Sequence, residues 1–202
     1  MYDFKKIPDD DVMLDSSPLV RMLEFLHTEL QKKPKGIALT KSTAFQRRIV
    51  AEAISKIQWP DWTEQEIYHG IMPIKVADEH HFRPLLIVHD LLLHIRVVRN
   101  YKSRLLLIRK GTATFASRFN SFDIVAQELL FRAPYFDVSH QRDGLLGSWD
   151  IWLNVLDVEA DTGVSGQKIT ETFYGPAPVN TAYDLRTSTL YDRVLMPLVR
   201  CG

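Results

Sequence analysis

The chain has 202 residues, 46% hydrophobic and 25% charged, with a formal net charge of zero, an ordinary globular composition that excludes disordered and fibrous classes. Its single cysteine, Cys201, excludes a disulfide framework and a Cys-based zinc site, and no apolar run approaches the roughly 20 residues of a membrane-spanning helix. The opening MYDFKKIPDDD has no apolar secretory core, so a cytoplasmic protein is expected; without a P-loop or dinucleotide fingerprint, no cofactor is expected either.

The first 16 residues are polar and acidic and read as a flexible lead-in. Ser16-Ser17-Pro18 then starts a helix running to about Lys32, with Leu19, Met22, Leu23, Leu26 and Leu30 at three-and-four spacing. Lys33-Pro34-Lys35-Gly36 ends it, and GIALT is a short extended piece. A second helix, Ala44 to about Ile57, is capped by Ser42 or Thr43 and turns Phe45, Ile49, Val50, Ala53 and Ile54 inward. After the Trp59-Pro60-Asp61-Trp62 loop, Thr63 and Glu66 form a capping box for a short helix closed by Gly70. Asp78 opens the most apolar helix, about Glu79 to Ile95. Val97 to Tyr101 and Arg104 to Arg109 read as two strands around Lys102-Ser103. Gly111-Thr112 restarts a helix, and Ser121 caps another over 122–131.

Ala133-Pro134 marks a domain boundary, dividing 17–133 from 134–202. Beyond it come helices over 145–158, 165–173 and 187–200, with a Gly175-Pro176-Ala177-Pro178 turn between the last two. Pro197 should kink the final helix or break its last turn. The expected fold is mainly α: tandem winged-helix-like units with one β-hairpin wing at about 96–110, the second unit lacking a clear wing.

GIALTKSTAFQRRIVAEA, the tryptophan loop, the leucine-rich helix, the basic hairpin and IRKGTATFAS together resemble a helical domain of unknown function. That domain occurs in bacterial and plasmid-borne proteins, sometimes alongside a SEC-C zinc motif. Gly36, Leu39, Thr40, Lys41 and Arg47 or Arg48 fit its Gly-x-x-Leu-Thr-Lys-x-Gly-x-x-x-Arg pattern, and Leu105 to Lys110 with Gly111 fit its hairpin and following glycine. Thr43 stands where the family tends to have glycine, and Ile108-Arg109 replaces Leu-Thr. TLYDRVLMPLVRCG resembles the family's Leu-x-Pro-Leu-x-x-x-Gly ending, beyond which the family continues, so a wing of the second unit is expected to be missing or cut off. The likeness covers about two thirds of the chain. It implies tandem winged-helix-like units and no catalytic residue.

His69, His80, His81, His89 and His94 lie close in sequence with Asp78 and Asp90. A helical metal pair needs ligands three or four apart. His89 and His94 are five apart, about 140° around a helix; Asp90 and His94 are four apart, but two ligands make no site. A metal-dependent HD-type phosphohydrolase around His89-Asp90, with His69 and Asp123 as further ligands, is the third-ranked reading; no metal site is assigned. Cys201 lies at the terminus and Ser148 is not in a nucleophile elbow, so no catalytic residue is assigned. Asp150, Asp157, Glu159 and Asp161 read as a solvated acidic face.

Charge is unevenly placed. Residues 32–110 hold 15 Lys/Arg against 7 Asp/Glu, and residues 111–202 hold 7 against 11. The candidate site is therefore the basic hairpin: Arg96, Arg99, Tyr101, Lys102, Arg104, Arg109 and Lys110, cations around an aromatic that phosphates and bases, or an acidic protein, would meet. The bland alternative is a charged edge that blocks strand-to-strand aggregation. The helix before the hairpin is apolar around nearly its whole circumference, which opposes base reading in a major groove. The sequence thus points to a non-enzymatic module docking a protein partner or a second copy, with nucleic-acid contact through the hairpin as the next reading, and to no membrane partner. Trp59, Trp62, Trp149 and Trp152 read as core, or as anchors for a partner if a pair is exposed.

Overall fold

The computed structural model describes residues 4–60, 62–132, 148–161, 163–176 and 185–202. The protein is mainly helical with one small antiparallel sheet, and it divides into two compact units, Met1–Ala133 with Arg200–Gly202 and Pro134–Val199. The Ala133-Pro134 boundary itself lies outside the described residues.

In the first unit, α1 (Val12–Ser16) is capped by Asp11, and α2 (Pro18–Lys32) by Ser17, whose hydroxyl accepts from the Val20 amide, with Pro18 in the first turn. The α2 stripe read from the sequence is buried, Leu19, Met22, Leu23 and Leu26 being at most 1% exposed. Residues 4–16, read from the sequence as a lead-in, lie along this unit: Phe4 and Ile7 pack against Leu14, Val20 and Phe119. Arg118 reaches from the far side to Asp15, Glu24 and the Asp9 carbonyl.

β1 (Ile37–Ala38) is followed by α3 (Arg47–Lys56) and α4 (Glu64–His69). α3 starts three residues later than its apolar spacing suggests, because Thr40 Oγ1 bonds both the Ala44 amide and the Ala44 carbonyl and holds the approach as a turn. The Thr63–Glu66 capping box forms as read. The long apolar helix does not run through from Glu79. A single 3-10 turn, Glu79–His81, is capped by Asp78, and α5 (Arg83–His94) starts afresh with Pro84 in its first turn.

α5 ends in a Schellman motif: the Val97 amide bonds the Leu92 carbonyl, the Arg96 amide bonds that of Leu93, and Arg96 takes φ +56°. β2 (Val98–Tyr101) and β3 (Arg104–Leu107) form the hairpin, turning through Lys102 and Ser103 at φ +47° and +54°, the mirror-type turn that matches strand twist. β1 pairs with β3, giving the strand order β1-β3-β2. Val98, Leu105 and Ile37 point into the core, where Ile49, Val50, Leu85, Val88, Leu91 and Leu92 are buried.

The chain then enters α6 (Arg109–Thr114), where Gly111 packs so closely on the hairpin base that a Cβ would meet the Val97 carbonyl. α7 (Arg118–Gln127) is capped by Ser117, four residues before the Ser121 expected from the sequence; Ser121 instead bonds the Arg118 carbonyl inside the helix. A π turn, Glu128–Arg132, extends α7.

The second unit holds α8 (Trp149–Glu159), α9 (Gly166–Tyr174), α10 (Leu185–Leu190) and, as far as Val199, α11 (Met196–Cys201). Trp149, Trp152 and Leu156 pack on Ile169, Leu190 and Val194. α10 and α11 are joined without a break by a π turn, Tyr191–Leu195, in which the Met196 amide bonds the Tyr191 carbonyl. Widening to a five-residue bond just before Pro197 absorbs the amide that proline lacks, so the helix continues through Pro197 to Cys201 and its final turn is not broken.

Candidate functional site

All seven hairpin residues singled out from the sequence are exposed. The register sets who shares a face. Val98, Leu105 and Leu107 look inward, while Arg99, Tyr101, Arg104 and Leu106 occupy the outer face, with Ala38 of β1 beside Arg104. Tyr101, half exposed, carries Arg99 at 5.4 Å and Lys102 at 5.2 Å from its ring centroid. Arg104 Nη1 donates to the Gly36 carbonyl at 3.2 Å, which orients the guanidinium along the sheet. Arg96 sits at the left-handed residue after α5. Arg109 and Lys110 are not on the hairpin but in the first turn of α6, where Lys110 Nζ donates to the Ile95 carbonyl at 2.7 Å and satisfies the end of α5.

Some cations of the first unit pair with carboxylates, while among the described residues Lys35, Lys41, Arg47, Lys75 and Arg83 do not. Lys32 and Lys33 bind Glu29, Arg48 and Lys56 face Glu52, and Arg118 binds Asp15 and Glu24. Among the described residues, none of Arg96, Arg99, Lys102, Arg104, Arg109 and Lys110 pairs with a carboxylate.

α5, the helix before the hairpin, buries Leu85, Val88, His89, Leu91 and Leu92 and leaves Leu86, Ile87, Asp90 and Leu93 half-buried. Only Arg83 and His94 are exposed on it. It offers no row of polar side chains for base edges.

His89 and Asp90, the pair that raised the phosphohydrolase reading, have separate environments. His89 is buried, with Nδ1 at 2.7 Å from Glu79 Oε1, its ring against that of Phe45 at 4.4 Å between centroids, and Nε2 without a hydrogen-bond partner. Glu79, 1% exposed, also accepts from the Phe45 amide at 2.7 Å. This buried Glu79–His89–Phe45 cluster was not legible in the sequence; the one signal was an acidic residue ten positions before a histidine on an apolar helix. Burial pushes the Asp90 carboxyl up from the usual aspartate range, and Glu79 adds to this while His89 opposes it. His69 ends α4, and Asp123 on α7 accepts from Gln127. Among the described residues, no three His, Cys, Asp or Glu side chains converge to hold a metal ion. Cys201 is buried, and desolvation pushes its thiol up to about 12, the opposite of an activated nucleophile. Trp149 and Trp152 meet edge to face at 5.5 Å in the core of the second unit, and Trp59 is buried. No described helix is long and apolar enough to cross a membrane.

Comparison with known sequences places these features. The Y4jL N-terminal domain matches residues 15–120, which include α2, the sheet, α5 and the hairpin, and the y4jL C-terminal domain matches residues 139–202. An uncharacterized protein y4jL of Sinorhizobium fredii is 30% identical over 142 residues, 69% of this chain and 62% of that protein, so the chain spans less than two thirds of its relative's length. No solved structure matches. With a domain match over more than half its length, this chain belongs to the bacterial Y4jL family.

Proposed function

We propose that the protein is a non-enzymatic binding module of two winged-helix-like units, the first docking a protein partner by an acidic surface laid across its basic hairpin. For the first unit the winged-helix reading is supported by the order helix, strand, helix, helix, strand, strand formed by α2, β1, α3, α5, β2 and β3, with the short α4 and a 3-10 turn inserted between α3 and α5, and by the strand order β1-β3-β2. For the second it rests on helix order alone; a cytoplasmic setting rests on the single cysteine, and carriage on mobile elements near SEC-C motifs on the sequence resemblance. The observation that carries the docking reading is the gathering of six exposed cations on the hairpin and its two flanks, none of them paired with a carboxylate among the described residues. In the native host, the wild-type chain retains a partner on affinity purification, and a charge-reversed Arg99→Glu/Lys102→Glu chain loses it while unfolding at the same urea concentration. Retention by the reversed chain would refute the docking surface.

Nucleic acid is the second reading, favoured by Tyr101 flanked by two cations, the arrangement on which a base stacks beside its phosphate. Because α5 turns no polar row outward, contact would be to backbone rather than to bases. Anisotropy titrations with short duplex and single strands at two salt concentrations test it: the affinity falls as salt rises, by a slope set by the phosphates contacted. Absence of salt-dependent binding at micromolar protein would refute this reading and leave the protein partner.

A further inference from the structure

A second charged feature of the first unit lies on the other side of Arg104. The turn Lys33–Gly36, strand β1, the start of α3 and Arg104 enclose an open groove of about 380 Å³. Its floor is bare backbone because Gly36 and Ala38 are the outward-facing residues of this edge. Gly36, at φ +85°, is forced by its neighbours: a Cβ would come within 2.5 Å of the Leu105 carbonyl oxygen and 2.6 Å of Leu106 Cδ2. Over this floor stand Lys33, Lys35, Arg48 and Arg104, and no acidic residue lines the groove.

The four cations are not equally available. Lys33 Nζ lies 2.6 Å from Glu29, which also holds Lys32, and Arg48 lies 3.9 Å from Glu52, which also holds Lys56. Lys35 makes no hydrogen bond or ion pair among the described residues, and Arg104 spends one of its guanidinium N–H groups on the Gly36 carbonyl. The two carboxylates at the periphery are thus shared among four cations, and Lys35 and Arg104 add two more charges without any. α3 aims its positive end here as well: Gln46 stands at the N-cap without making a side-chain capping bond, and Arg48 occupies the first turn, where the helix dipole disfavours a cation and favours an anion. The remaining walls, Pro34 and Ile49, are apolar. The volume is at the low end for small-molecule pockets, room for a phosphate carrying a small organic body.

We propose that this groove binds the phosphate of a small phosphorylated molecule, a mononucleotide-sized monoester, with Lys35, Arg48 and Arg104 on the phosphate and the body over the Gly36–Ala38 floor. The inference shares Arg104 with the hairpin surface but does not rest on the docking reading. Calorimetric titration of the full chain with a nucleoside 5′-monophosphate, with the unphosphorylated nucleoside, and with inorganic phosphate as competitor tests it. The monophosphate is expected to bind saturably, to be displaced by phosphate, and to weaken about tenfold in Lys35→Ala and in Arg48→Ala, one charge-assisted contact each. Lys75→Ala, exposed and outside both the groove and the hairpin, should leave that affinity unchanged. Both groove residues are exposed, so these variants keep the fold, checked by an unchanged urea midpoint. Absence of saturable binding, equal binding of the bare nucleoside, or binding that survives both groove substitutions would each overturn the proposal. None of these outcomes touches the partner retention that tests the hairpin.

Discussion

Removing the Glu79 carboxylate should be among the most damaging single changes in the first unit. Glu79 is 1% exposed and serves two groups from distant parts of the chain, the Phe45 amide and His89 Nδ1, each at 2.7 Å. In Glu79→Ala both are left in the interior with no partner, at about 1–3 kcal/mol apiece, so a loss of about 4 kcal/mol is expected. With a urea dependence of roughly 2 kcal/mol per molar, that lowers the unfolding midpoint by about 2 M. Fluorescence of Trp59, buried in the same unit, reports it. Glu79→Gln discriminates the cause. Its oxygen can still accept from Phe45, but its amide faces His89 Nδ1 with a donor, so the ring must carry its proton on Nε2, which has no partner. About half of the alanine loss is expected, roughly 2 kcal/mol. An alanine variant within about 1 kcal/mol of wild type, or a glutamine variant worse than alanine, would refute the view that this cluster ties the approach to α3 onto α5.

Arg96→Gly relieves a left-handed residue and should raise stability by about 0.5–1 kcal/mol, after the extra unfolded-state entropy of glycine, while removing one hairpin cation; a lower urea midpoint would contradict the strain argument. Asp90→Asn should stabilise the protein at neutral pH but not well below the aspartate range. Burial raises the Asp90 carboxyl, so the unfolded chain ionises first and stability falls as pH rises from the ordinary aspartate value through the raised one; equal effects of the substitution at both pH values would refute this. Asp9 works in the opposite sense. Its carboxyl is held down by the Ser117 hydroxyl and the Phe119 amide, so the stability it lends is present above the ordinary aspartate value and lost as pH falls through the lowered one. Amide protection over residues 4–16, with the pH-dependent intrinsic exchange rate divided out, should therefore fall on acidification in wild type and be low already at neutral pH in Asp9→Asn; unchanged protection in both would count against it.

Local signals in the sequence were legible wherever the physics was local. The α2 stripe, the Thr63–Glu66 box and the two-residue turn of the hairpin all depend on residues within four positions of each other. What escaped depends on long separations. β1 joins the sheet because Ile37 pairs with Leu105, and two residues of extended chain carry no periodicity that could announce it. Glu79 breaks the long apolar helix by turning inward to His89 and Phe45, a choice that exists only once those residues are beside it. Ser117 outcompetes Ser121 as the α7 cap because Asp9, over a hundred positions away, receives its hydroxyl and holds the Phe119 amide. For the candidate site, the residue types and the outward face were readable, but the distribution of Arg109 and Lys110 onto α6 was not, since the apolar run Leu105 to Ile108 leads straight into them with no glycine or proline to mark where the strand ends.

That distribution bears on the bland alternative, in which the cations merely guard a sheet edge. In the order β1-β3-β2 the edge strand of the hairpin is β2, and of the six cations only Arg99 lies on it. Arg104 is on the central strand, which needs no guard. Lys110 has a structural use, closing the end of α5. The other three stand where local preference opposes them: Arg96 and Lys102 hold left-handed backbone that glycine or asparagine would adopt more easily, and Arg109 opens α6, where the helix dipole disfavours a cation. Each such placement costs on the order of 1 kcal/mol against the residue that stability alone would choose. Neither aggregation avoidance nor folding accounts for charges kept against that gradient, whereas an acidic partner laid across the outer face would use them, which is why the docking reading stands ahead of the guarded edge.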